Sequence, residues 1–138
     1  ATDHAPHTLE EKSNPYAKAP SGGPLVQHTL SALLELVHQG VFTLELVVQK
    51  TAHNVADMFQ IDRRGYVREG YYADLVLVDL NAPYTVQKDG LLYKCGWSPF
   101  EGVTFQSRVI STFVNGDRVY HDGKLDIQRS GMRLHFNR

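Results

Sequence analysis

The hydrophobic pattern of this chain changes period once, between Arg63 and Tyr72, and that single change limits the folds open to it. Before it, Leu25, Val26, Leu30, Leu33, Leu34 and Val37 recur at the spacing of one helix face. Pro24 can open that helix at its first position, where a missing N–H is harmless. Gly40 stands where a C-terminal cap belongs. Thr43 can cap a second helix with Glu45 in its first turn. Its apolar face reads as Leu44, Val47, Val48, Ala52, Val55 and Phe59, and it ends before Arg63-Arg64-Gly65. Beyond the change the spacing suits strands. Ala73 to Val78, with Asp74 and Asp79 at its ends, reads as a short buried strand, and Tyr84-Thr85-Val86 as a weaker one. Val109 to Val114 and Asp117 to Tyr120 flank Asn115-Gly116, which predicts a hairpin because both turn positions need positive φ. His121-Asp122-Gly123 gives the next turn, and the tail from Asp126 to Arg138 carries little pattern.

Composition excludes several classes. A formal net charge of −1 leaves no basic footprint for nucleic acid and no polybasic patch for a membrane. No apolar run approaches the ~18 residues of a membrane span, and no signal-peptide pattern opens the chain. Cys95 is the single cysteine, so an internal disulfide is impossible; this suits a reducing, cytoplasmic setting. From Thr8 to Gly23, Asn14-Pro15, Ala19-Pro20 and Ser21-Gly22-Gly23 predict a loop of about fifteen residues, long enough to suggest a functional role.

Before that loop lies Thr2-Asp3-His4-Ala5-Pro6-His7. Taken singly, an aspartate beside a turn is most often a cap or turn residue. As a whole the string resembles the dihydroorotases of the cyclic amidohydrolase superfamily. The likeness continues through Thr51-Ala52-His53-Asn54-Val55-Ala56 and through Arg64 to Asp79, which ends in Ala73-Asp74-Leu75-Val76-Leu77-Val78-Asp79. It also takes in Ser98-Pro99-Phe100-Glu101-Gly102 and the hairpin at Val114-Asn115-Gly116, so it covers Thr2 to about Gly123. The fold it implies is α/β. Residues 1–63 would be the C-terminal end of a metal-dependent (β/α)8 barrel, its last strand and helices. Residues 64–138 would supply strands of a small β-sandwich.

The resemblance also assigns roles. Asp3 would sit at the C-terminal end of the last barrel strand, the face where such active sites lie. There it would bind one zinc ion and shuttle the proton of the attacking water. His7 would hold the substrate carboxylate, since charge-assisted hydrogen bonds are strong. The backbone of Ser21, Gly22 and Gly23 would read the pyrimidine ring, glycine permitting close approach. His4 is expected to be structural, and His53, Trp97 and Cys95 to be packing or loop residues.

The implied reaction is the reversible hydrolysis of L-dihydroorotate to N-carbamoyl-L-aspartate in pyrimidine biosynthesis. The superfamily's zinc site needs a His-x-His, which is absent here: the histidines stand at 4, 7, 28, 38, 53, 121 and 135. A barrel takes about 250 residues, so 138 would be the C-terminal part of an enzyme, inactive alone, with most zinc ligands elsewhere. Its partners would be a small-molecule substrate and either a second copy or the missing N-terminal part, because two amphipathic helices would otherwise expose apolar faces. The rival readings are a hydantoinase or allantoinase, a non-catalytic homologue serving assembly, and a free-standing β-rich module.

Overall fold

The computed structural model describes residues 2–126 and 131–137. Ala1, residues 127–130 and Arg138, including part of the weakly patterned tail, lie outside the described residues. Two halves follow in order, helices first and strands second.

The helical half begins with a short helix, α1 (Leu9–Lys12), which composition alone reads as loop. Thr8 closes it with a capping box: its hydroxyl accepts from the Glu11 N–H, while the Glu11 carboxylate accepts from the Thr8 N–H at 2.8 Å. A 3-10 turn at Val26–His28 leads into α2 (Thr29–His38). Gly40, at φ +71°, ends α2 as expected. Its N–H donates to the Val37 carbonyl and the Val41 N–H to the Leu36 carbonyl, both at 2.9 Å, which is the paired bonding of a Schellman cap.

The second predicted helix is a continuous helical run with a fault in it. α3 (Leu44–Val48), capped by Thr43 at 3.2 Å, passes through a π turn at Gln49–His53 into α4 (Asn54–Phe59). The π turn breaks the 3.6-residue phase. Val47 and Ala56 are the buried residues, whereas Leu44, Val48, Val55 and Phe59 remain 37–48% exposed. Only part of the expected apolar face is therefore covered within this chain. Ala56 is covered by Gly65, where a Cβ would come within 2.4 Å of the Ala56 Cβ.

In the strand half, β1 (Leu75–Asp79), β4 (Arg108–Val114), β5 (Asp117–His121) and β6 (Lys124–Leu125) form an antiparallel sheet in the order β1-β4-β5-β6. β2 (Tyr84–Thr85) and β3 (Thr104–Phe105) make a separate pair. Asn115 and Gly116 form the predicted hairpin turn, both at positive φ, +55° and +90°. β1 is not buried as its composition suggests: Val76 and Leu77 are 46% and 53% exposed. The tail at 131–137 has more order than its pattern predicts, since Asp62 donates to the His135 carbonyl and Asn137 to the Gln60 carbonyl.

α2 joins the halves. Leu34 on α2 and Phe105 on β3 are buried, each such side chain contributing about 1.5–3 kcal/mol. Ser31 meets the Tyr84 hydroxyl at 2.9 Å, the Glu35 carboxylate accepts from the Gln106 N–H, and His38 meets Ser107 at 2.8 Å.

Candidate active site

Three segments meet around the N-terminal stretch. Asp3 adopts φ +47°, a left-handed conformation that aspartate tolerates better than most residues. His4 then pairs with Gly23 as a parallel bridge, and the Ala5 N–H donates to the Gly23 carbonyl at 3.0 Å. Pro6 sets a tight turn: the His7 N–H returns to the Ala5 carbonyl at 2.8 Å, closing three residues.

The loop at 20–23 lies directly against this stretch. Gly22 has φ +79°, and a Cβ there would stand 2.7 Å from the Ala5 Cβ, 2.9 Å from the Asp3 carbonyl oxygen and 3.3 Å from Asp3 Oδ2. Glycine is required at 22 by both conformation and space. Asp3, Gly22 and Gly23, expected to share a site, are thus adjacent. The Asp3 carboxylate is exposed and meets no hydrogen-bond or ion-pair partner among the described residues. Nor do the N–H groups of Ser21 and Gly22 find an acceptor there. A carboxylate and two peptide donors without partners among the described residues therefore stand around the His4–Gly23 bridge.

His7 occupies the turn that follows. Its ring lies 3.6 Å from the Glu11 carboxylate, and its carbonyl accepts from the Trp97 indole N–H at 2.8 Å. Glu11 is held below the usual carboxylate range, chiefly by the Thr8 N–H and hydroxyl, with His7 adding a smaller pull.

The His4 ring caps backbone N–H groups at the start of the next helical segment. Its Nδ1 accepts from the N–H groups of Leu25 and Val26 at 3.2 and 3.4 Å, while the Tyr93 hydroxyl accepts from Gln27 at 2.7 Å. Together they satisfy donors that the start of a helix leaves open. Accepting at Nδ1 requires the tautomer, or state, without a proton on that nitrogen. Burial raises the Tyr93 hydroxyl above its ordinary pKa.

Sequence reasoning passed over two residues. Trp97, read as packing, fixes the carbonyl of His7. Lys12, read as loop surface, donates to the Pro20 carbonyl at 2.6 Å and the Gly22 carbonyl at 3.0 Å. The only signal for Lys12 was its place between the histidine turn and the glycine loop. Trp97 is ninety residues away and gave none.

Among the described residues no three His, Cys, Asp or Glu side chains come together as a metal site. Asp3 fits as one carboxylate ligand, fewer than the three that catalytic zinc usually takes from protein. A cavity of about 730 Å³ between α2 and the sheets includes His28, Tyr84 and Arg108 in its lining but none of the expected site residues.

Comparison with known proteins gives a consistent set. The profile of the amidohydrolase family matches residues 1–119. The dihydroorotase of Halobacterium salinarum is 46% identical over 102 residues, covering 74% of this chain and 24% of that protein. The allantoinase of Desulfitobacterium hafniense is 36% identical over 135 residues, covering 97% of the chain and 30% of that protein. Among solved structures, the L-hydantoinase (dihydropyrimidinase) of Arthrobacter aurescens superimposes with a TM-score of 0.82 at 26% identity, over 91% of this chain and 29% of that one. The chain spans about a quarter to a third of the length of these relatives.

Proposed function

The chain belongs to the amidohydrolase family, and from that premise we propose that it is the C-terminal portion of a cytoplasmic, zinc-dependent dihydroorotase. The reaction is the reversible hydrolysis of L-dihydroorotate to N-carbamoyl-L-aspartate in pyrimidine synthesis. In this reading residues 1–63 are the end of the barrel and residues 64–138 belong to the β-sandwich. The observation that carries it is the free Asp3 carboxylate seated against Gly22, one turn before His7.

Each side chain then has a task. Asp3 accepts a proton as water adds to the ring carbonyl and returns it to the departing ring nitrogen. His7 holds the substrate carboxylate, and the Ser21–Gly23 backbone holds the ring. Zinc, when bound, supplies Lewis-acid polarisation at the same face, with Asp3 as one of its ligands and the rest outside this chain. The chain alone is inactive.

A second reading, an allantoinase or hydantoinase, is supported by the 36% identity to an allantoinase and by the likeness to hydantoinase structures. The dihydroorotase reading is favoured by the 46% identity over 102 residues and by His7, which suits an acidic substrate. The test is L-dihydroorotate hydrolysis by the full-length parent with and without zinc. Zinc-dependent turnover is expected, with Asp3→Asn lowering kcat by about 10²–10⁴ and His7→Ala acting mainly on KM. No turnover with zinc bound would move the assignment to another cyclic amide. No turnover and no zinc would leave a non-catalytic homologue.

A further inference from the structure

We infer that Lys12 is a positioning residue for substrate binding, its ammonium strapping the 20–23 loop onto the Asp3 strand; this rests on the reading of the site given above. Lys12 closes α1 only five residues after His7 and reaches across to two carbonyls of the loop, Pro20 at 2.6 Å and Gly22 at 3.0 Å. It is half-buried and forms no ion pair among the described residues, although Glu10 and Glu11 precede it directly. An ammonium held by two neutral carbonyls, with carboxylates close by in sequence, is bound to the loop and not simply solvated.

The geometry gives that contact a consequence. A trans peptide directs its C=O and N–H to opposite sides. With the Pro20 carbonyl turned to Lys12, the Ser21 N–H of the same peptide unit points away from it, and that N–H has no acceptor among the described residues. With the Gly22 carbonyl also turned to Lys12, the Gly23 N–H faces the opposite side, toward the strand with which Gly23 pairs. The loop holds two consecutive glycines, which have the widest backbone freedom of any residue. Without the strap, nothing described fixes the Pro20 carbonyl, and the Gly22 carbonyl is steadied only through the pairing of Gly23. α1 thus links both parts of the substrate-binding reading: Glu11 lies beside His7, and Lys12 holds the loop.

The experiment compares the full-length parent with its Lys12→Met and Lys12→Arg variants. Lys12→Met is expected to raise KM for L-dihydroorotate about tenfold or more, with kcat changed less than about threefold and zinc content unchanged. Lys12→Arg, which keeps charge and donors, is expected to recover most of the loss. A second readout does not depend on activity. The Ala5 N–H is bonded to the Gly23 carbonyl, so amide exchange of a peptide covering Ala5 should accelerate about tenfold in Lys12→Met while α2 stays protected. Unchanged exchange at Ala5 would overturn the proposal, as would kcat falling with KM unchanged or α2 losing protection alongside. If Ala5 loosens as expected but the wild-type parent does not hydrolyse dihydroorotate, the dihydroorotase reading fails. The strap then stands, its KM effect to be read on hydantoin or allantoin.

Discussion

His28 is 3% exposed and faces the rings of Tyr93, Phe100 and Phe105 with centroids 5.9–6.3 Å away. Its Nδ1 has no partner among the described residues, and burial pushes the imidazole below its ordinary 6.5. Because the folded pKa is depressed, the unfolded chain binds more protons in the interval below 6.5. The contribution of neutral His28 is therefore complete above about pH 6.5 and declines as pH falls toward the folded value. Thermal unfolding of the parent should show a lower midpoint at pH 5.5 than at pH 7.5, and His28→Phe should reduce that difference. An undiminished difference in the variant would assign the acid sensitivity to other groups. Gly22 makes a different single-residue case. Gly22→Ala must both accept φ +79° and clear Ala5 and the Asp3 carbonyl. A loss of about 1–3 kcal/mol is expected in denaturant unfolding, and Gly23→Ala, with open space at its Cβ, should lose less.

At the scale of elements, local chemistry decided the ends better than the interiors. The Schellman cap at Gly40 and the hairpin turn at Asn115-Gly116 were both legible because each demands positive φ from specific residues. α1 was not, since four residues within turn-rich sequence give no period to read. β3 and β6, two residues each, failed for the same reason. α1 nevertheless has its own test. Thr8→Ala removes the cap and should destabilise the turn by about 0.5–2 kcal/mol, seen as faster amide exchange at Glu11 and Lys12. The Glu11 carboxylate is held below its ordinary 4.5, first by the Thr8 N–H, so the box should persist in mild acid and open as pH falls through that lowered value.

For the whole molecule, the exposed apolar side chains matter most. Val41 is 59% exposed, Met58 69% and Phe59 48% around the second helical run, and Val76 and Leu77 stand open on β1. Apolar area of this kind marks a surface meant to be covered. The 138-residue chain alone should therefore run above 15.5 kDa in sizing with light scattering. A monodisperse monomer would count against that. No described helix is long and apolar enough to cross a membrane.

The order of helices then strands, the caps, the hairpin and the family were readable from residue order, because these rest on periodicity, special φ values and a contiguous motif. The stretch from Asp3 to His7 was legible as a family motif for that last reason. Which faces are buried was not readable there, since burial depends on what packs alongside, as at Leu34 and Phe105. The tertiary structure alone brought Lys12 to the Gly22 carbonyl and Trp97 to the carbonyl of His7. Contacts between residues ten and ninety positions apart follow from chain topology, and single-residue chemistry does not encode them.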